Sequence, residues 1–188
     1  MINYLFITIL LCEALLAGML GISLLLPERR IWPPPGKNSW QIYAVWSPII
    51  LAFIAVLILG VLDWNSLHTG DWVSYAAGGM FLAGGYAIYF WSRRCLGWKT
   101  MMGIKGRFIT RGIYGHTRNP MYLADITLCI GFALLCNSGL VYIVTSIGII
   151  LFIITPFTEE PWLREQYGTE YDDYMKTVPR FLPGLHHN

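Results

Sequence analysis

Residues 118–160 read RNPMYLADITLCIGFALLCNSGLVYIVTSIGIILFIITPFTEE, two apolar runs separated by Asn137, Ser138 and Gly139, with a polar cluster at each outer end. So short a connection makes the two runs an antiparallel helical hairpin. It therefore brings Arg118 near the adjacent acids Glu159 and Glu160. Asn119 followed by Pro120 is a helix start. Asparagine is a preferred N-cap, and a proline at the first helical position gives up an amide hydrogen that had no intrahelical partner. The exposed amides of that first turn, the positive end of the helix dipole and Arg118 make either an anion pocket at membrane depth or a capped helix with an interfacial arginine.

Outward from the hairpin the chain stays apolar. Of its 188 residues 55% are hydrophobic and 13% charged, with a mean hydropathy of +0.52, so it reads as an integral membrane protein. Several runs exceed the ~18 residues needed to cross a hydrocarbon core, and five spans are read at about 3–26, 41–62, 72–92, 121–136 and 140–157. The first has no basic stretch before it and no small-residue cleavage pattern after it, which makes it a retained helix. The fold class is all-α: about five transmembrane helices in one domain (1–188), with a C-terminal hairpin and an amphipathic tail helix. Within it, 1–94 holds three spans, and 95–188 holds a loop, the hairpin and the tail.

The charges supply orientation. All 13 lysines and arginines fall into three segments: Arg29, Arg30 and Lys37 in the first loop, seven residues from Arg93 to Arg118 that include Lys99 and Lys105, and Arg164, Lys176 and Arg180 in the tail. In a five-span chain these segments share one side and the opposite loops carry none, so the N-terminus is expected outside and the tail in the cytoplasm. Four or six spans would spoil that segregation. The tail spaces Leu163, Tyr167, Tyr171, Tyr174 and Val178 at helical intervals, interrupted by Gly168, and reads as a helix lying on the membrane or over the hairpin mouth.

Glu159 and Glu160 are expected where the last span leaves the membrane, at the unfavourable end of a helix dipole, which calls for compensation by an arginine or a cationic ligand. Two further acids lie within spans. Glu13 sits near the middle of the first and Asp125 about one turn into the fourth, and such residues are functional candidates or interhelical hydrogen-bonding groups. Cys12, Cys95, Cys129 and Cys136 form no CxxC pair, and His68, His116, His186 and His187 show no metal spacing, so no metal site is expected. Soluble nucleotide-fold motifs and the common hydrolase motifs are missing. No nucleic-acid partner is expected.

The C-terminal half resembles the isoprenylcysteine carboxyl methyltransferase and phospholipid methyltransferase group of membrane enzymes. The resemblance rests on Gly112 and Tyr114, on Arg118, Pro120 and Tyr122, on Glu159 and Glu160, on Tyr167, Gly168, Tyr171 and Tyr174, and on Val178, Pro179, Arg180 and Pro183. It covers about residues 95–184. Asn119 stands where the family has histidine; it keeps the cap and the hydrogen bonding but cannot take a proton.

The resemblance implies methyl transfer from S-adenosylmethionine, bound from the cytosol by the hairpin and the C-terminal segment, to a lipophilic acceptor entering from the bilayer. Carried onto this chain, it implies cofactor contacts from Tyr114, Arg118, Asn119, Pro120, Tyr122, Glu159, Glu160 and Tyr171, with Arg118, Glu160 and Asn119 at the reaction centre. Asp125 and Glu13 are the candidates on the acceptor side. RNPMYLAD also resembles a stretch of NADPH-dependent membrane sterol reductases, although those carry a His-Arg pair where this chain has Phe157 and Thr158. A lipid-binding membrane protein without turnover is the third reading, and oligomeric state stays open.

Overall fold

The computed structural model describes residues 1–97, 100, 102–104 and 106–182. Lys99, Lys105, Pro183, His186 and His187 lie outside the described residues. Inside a bilayer every backbone amide and carbonyl must be satisfied within the segment, so uninterrupted Leu, Ile, Val, Ala and Phe runs become helices. Five long ones form: α1 (Ile2–Leu25), α2 (Trp40–Leu62), α3 (Trp72–Leu96), α4 (Pro120–Cys136) and α5 (Gly139–Tyr167); a short α6 (Thr169–Thr177) follows. Among the described residues there is no strand. By length and composition α1, α2 and α5 are each able to cross a membrane.

The helices are apolar all round because both their environments are apolar. Ile7, Leu11, Leu15, Phe53, Ile54 and Leu57 of α1 and α2 point outward, as lipid-facing side chains do. Ile9, Ala55, Leu59, Ala133, Val141 and Val144 pack inward as a core shared by α1, α2, α4 and α5.

The α2–α3 loop and the α4–α5 turn interlock at one end. The Asn65 N–H donates to Cys136 O at 2.7 Å and the Leu67 N–H to Asn137 O at 3.4 Å, while the Ser138 hydroxyl bonds Asp63. Asn137 takes the left-handed conformation (φ 44°, ψ 44°) that ends α4, and Ser138 caps α5 by accepting from the Val141 N–H at 3.1 Å. At the opposite end the α1–α2 loop, the segment from α3 to α4 and the tail converge.

Two sequence expectations change. The last membrane helix does not stop at residue 157. It continues through Pro156 and Pro161 to Tyr167, so Glu159 and Glu160 lie within a helix and not at its dipole end. Hydropathy falls where polar side chains begin, but helical hydrogen bonding does not require apolar ones. Hydroxyl bonds from Thr155 to Leu151 O (2.7 Å) and from Thr158 to Thr155 O (2.8 Å) add polar contacts around the proline interruptions. The tail helix is correspondingly shorter: Gly168, at φ +57°, breaks the chain before α6. Only glycine occupies that region without strain.

The small residues of α3 serve packing within the chain. A Cβ added to Gly131 of α4 would lie 2.8 Å from the Leu82 N and 2.9 Å from the Gly78 O of α3, and one on Gly85 would lie 2.8 Å from Leu128 Cγ. Gly79 and Gly84, on the other face, meet nothing within 4 Å. Gly131→Ala should therefore lower stability by about 1–3 kcal/mol through overpacking against backbone, whereas Gly79→Ala should leave it unchanged or raised. Equal melting temperatures for the two variants in detergent would refute this backbone contact.

Candidate active site

At the converging end the tail is sewn to the start of α4. The Arg118 N–H donates to Pro179 O at 2.9 Å. The Arg180 carbonyl accepts from the Asn119 amide at 3.0 Å and from the Thr117 hydroxyl at 3.1 Å. Asn119 holds the N-cap position expected of it, but its side chain makes no cap bond to the helix. The amide serves the tail instead, and Pro120, buried at the first helical position, has no N–H of its own to satisfy.

Glu160 is the ionic centre. Arg180 binds it in a fork, Nε to Oε1 and Nη2 to Oε2, both at 2.8 Å, and lies over the Phe157 ring at 3.9 Å. Arg118 Nη1 approaches Oε1 at 3.3 Å. The side chain of Arg118 is 9% exposed, yet its Nε and Nη1 have no hydrogen-bond partner. A buried cation with unused donors is costly unless something else accepts from it. The hydrogen bonds it donates to Glu160 hold Arg180 firmly charged, its pKa raised above the ordinary arginine value.

Glu159 belongs to a different set. Its Oε1 accepts from the Tyr122 hydroxyl at 2.5 Å and from Trp32 Nε1 at 2.7 Å. Trp32 comes from the α1–α2 loop, 127 positions earlier, and its neighbour Arg30 pairs with Glu165 at 3.0 Å. The first loop thus closes over the end of α5.

Aromatic side chains line the rest. Phe108 stacks on Tyr167 (4.8 Å between centroids) and meets Tyr171 and Tyr174 edge-on. Tyr174 donates to Tyr114 O at 2.5 Å and Tyr167 to Gly106 O at 3.0 Å. Burial is the main reason the phenols of Tyr114, Tyr171 and Tyr174 are pushed above the usual tyrosine range, so all three are neutral donors.

The sequence candidates thus separate into groups. Arg118, Glu160 and Tyr171 meet, since Tyr171 lies in electrostatic reach of both; Tyr122 meets Glu159; Asn119 and Pro120 hold the tail; and Tyr114 lies beneath Tyr174. Asp125 of α4 and Glu13 of α1 lie within the helices, and Glu13 is buried. Trp32 and the forked role of Arg180 escaped sequence reasoning. A tryptophan near a membrane interface has a default explanation, and an arginine in a basic tail another. The position of Arg180 in the tail pattern was the one signal available.

Part of this site, including Arg118, Tyr122, Glu159 and Glu160, lies in the segment where known proteins match. Residues 73–170 match the phospholipid methyltransferase family. Methanethiol S-methyltransferase 2 of Bradyrhizobium diazoefficiens is 23% identical over 197 residues, covering 92% of this chain and 74% of that protein. No solved structure matches. The family segment contains Arg118, Tyr122 and both glutamates, it spans more than half of the chain, and the relative extends the likeness over α1 and α2. The chain belongs to the phospholipid methyltransferase family and is a membrane methyltransferase.

Proposed function

We propose that this chain transfers a methyl group from S-adenosylmethionine to a lipophilic acceptor inside the membrane, and that residues 95–188 hold the cofactor while 1–94 shape the acceptor side. The observation that carries the reading is Arg118, buried in the family segment with two donor nitrogens, Nε and Nη1, that make no hydrogen bond, although Nη1 lies in ion-pair range of Glu160. Those donors suit the cofactor's methionine carboxylate. Glu159, which accepts from Tyr122 and Trp32 and not from an arginine, is the acid placed to offset a bound cation, and the Phe108, Tyr167, Tyr171 and Tyr174 faces suit an adenine or a sulfonium.

Bound there, S-adenosylmethionine would supply an electrophilic methyl group on a sulfonium. The protein's task is to orient that group and exclude water. Arg118 would fix one end of the cofactor, Glu160 and Arg180 fix Arg118, and Tyr122 with Trp32 holds Glu159 in place. Asn119, which cannot exchange a proton, orders the tail over the pocket.

A five-span arrangement, with N-terminus outside and basic loops and tail in the cytoplasm, agrees with the alternation of the loops. The α2–α3 and α4–α5 connections meet at one end. The three basic segments meet at the other through Arg30, Arg118 and Arg180. The family membership sets aside the reductase alternative.

Thermal unfolding in detergent tests the cofactor, because a ligand that binds only the folded state raises the melting temperature. S-adenosylhomocysteine should raise it and NADPH should not; the reverse result would sink the reading. Arg118→Ala should abolish the shift, and retained affinity in that variant would show the pocket to be misplaced. Glu160→Gln leaves two guanidinium groups without a counter-charge, and should lower stability by about 3–5 kcal/mol as well as weaken binding. Trp32→Phe keeps the ring but removes the donor to Glu159, and should cost roughly 1.5–3 kcal/mol by denaturant titration.

A further inference from the structure

A second opening lies at the basic end of the molecule, between the α1–α2 loop, the start of α2 and the end of α5. It encloses about 490 Å³ and is lined by Glu28, Arg29, Arg30, Trp40, Gln41 and Glu165. None of these residues belongs to the Arg118, Glu160 and Arg180 grouping or to the aromatic cluster around Phe108. Two buried polar atoms among them are unspent. Arg30 gives Nη1 to Glu165 at 3.0 Å, but its Nε is buried with no hydrogen-bond partner, and so is Gln41 Oε1. One is a charged donor and the other an acceptor, and a ligand carrying the complementary groups would relieve the cost of leaving both dry. The helix start adds a third signal. Trp40 and Gln41 open α2, a helix of 23 residues whose N-cap Ser39 makes no side-chain bond to its amides. The Ser39 hydroxyl donates to Gly36 O at 2.7 Å instead, so the first amides of α2 are left for another acceptor at the edge of the cleft.

We infer that this cleft holds the headgroup of an anionic phospholipid, one phosphodiester with hydroxyl donors beside it, as a bound lipid and not as a methyl acceptor. Guanidinium groups and helix-opening amides both favour a phosphate, while Gln41 Oε1 calls for an O–H. Charge selects a single negative group. With Arg30 matched by Glu165, residues 27–39 retain Arg29 and Lys37 against Glu28, one cation in excess. A headgroup with its own ammonium would cancel its phosphate and gain less there.

The flanks make the occupant a lipid and not a soluble phosphate ester. Leu25 and Leu26, just before the cleft, are 79% and 50% exposed, and Trp40 and Tyr43 of α2 are 63% and 70% exposed, an apolar and aromatic border of the kind that sits at a membrane interface. Bound there, the headgroup would tie the first loop to the end of α5 beside the Arg30–Glu165 pair. Trp32, which donates to Glu159, is two residues away. The identity of the methyl donor and acceptor does not enter this inference.

The test uses the full chain in detergent with phosphatidylglycerol, phosphatidylcholine, phosphatidylethanolamine or glycerol 1-phosphate at equal concentration. Phosphatidylglycerol near saturation should raise the melting temperature by roughly 5 °C and should stay bound in native mass spectra, and the other three should shift it far less. Arg29→Gln and Gln41→Leu should each weaken phosphatidylglycerol binding about tenfold while leaving the lipid-free melting temperature in place. Arg94→Gln, which removes a cation of α3 outside the cleft, should leave binding as it was. An equal shift from either zwitterionic lipid overturns the inference, and an equal shift from glycerol 1-phosphate overturns the assignment to a lipid. Weakening by Arg94→Gln as large as by Arg29→Gln would reduce the effect to a general attraction between basic residues and anionic lipid, and the site would fall with it. Should Gln41→Leu fail to fold, full binding in Arg29→Gln is enough to overturn it.

Discussion

The bidentate grip of Arg180 on Glu160 is the contact on which the cytoplasm-facing end, as we orient it, depends. Two charges taken from water repay their desolvation only when geometry is good and the remaining donors and acceptors are satisfied. Here both carboxylate oxygens and two guanidinium nitrogens are used, and the Phe157 face covers the cation. The consequence reaches along the chain, because Arg180 also offers its carbonyl to Asn119 and Thr117. A tail that would otherwise drift in the headgroup region becomes a wall of the site. Arg118 is left as the second cation on an anion already served, and so has donors to spare.

Glu159 and Glu160 are adjacent in sequence and divided in role. Successive residues of a helix point about 100° apart, so one carboxylate turns to the tail and the other to Tyr122 and the first loop. Through Trp32 the N-terminal half closes over the end of α5, while through Ile9, Ala55 and Leu59 it shares the interior core with α4 and α5. The two halves therefore meet at both levels of the molecule.

Much of this was legible in the sequence. The three-residue turn at Asn137, Ser138 and Gly139 required a hairpin, and the hairpin required Arg118 and the glutamates to share an end. The salt bridge from Arg118 to Glu160 is the arginine compensation that the adjacent acids called for. Helix ends were read less well where polarity and hydrogen bonding part company. Span five was ended at the first polar cluster although the helix runs ten residues on, and Asn119 occupies the cap position without making a cap bond.

Local chemistry decided what the sequence alone determined: which segments are helical, where the chain must turn, and which charged residues gather at one end. The tertiary structure decided the pairings, among them Trp32 with Glu159, Arg180 with Glu160, Gly131 with Gly78, and Glu13 facing Gly148. The physical reason lies in the solvent. A helix at a water boundary announces its buried face by a polar and an apolar side, but a helix between lipid and protein is apolar on both. Its rotation about its own axis, and with it every partner of its few polar side chains, is set only when the helices pack.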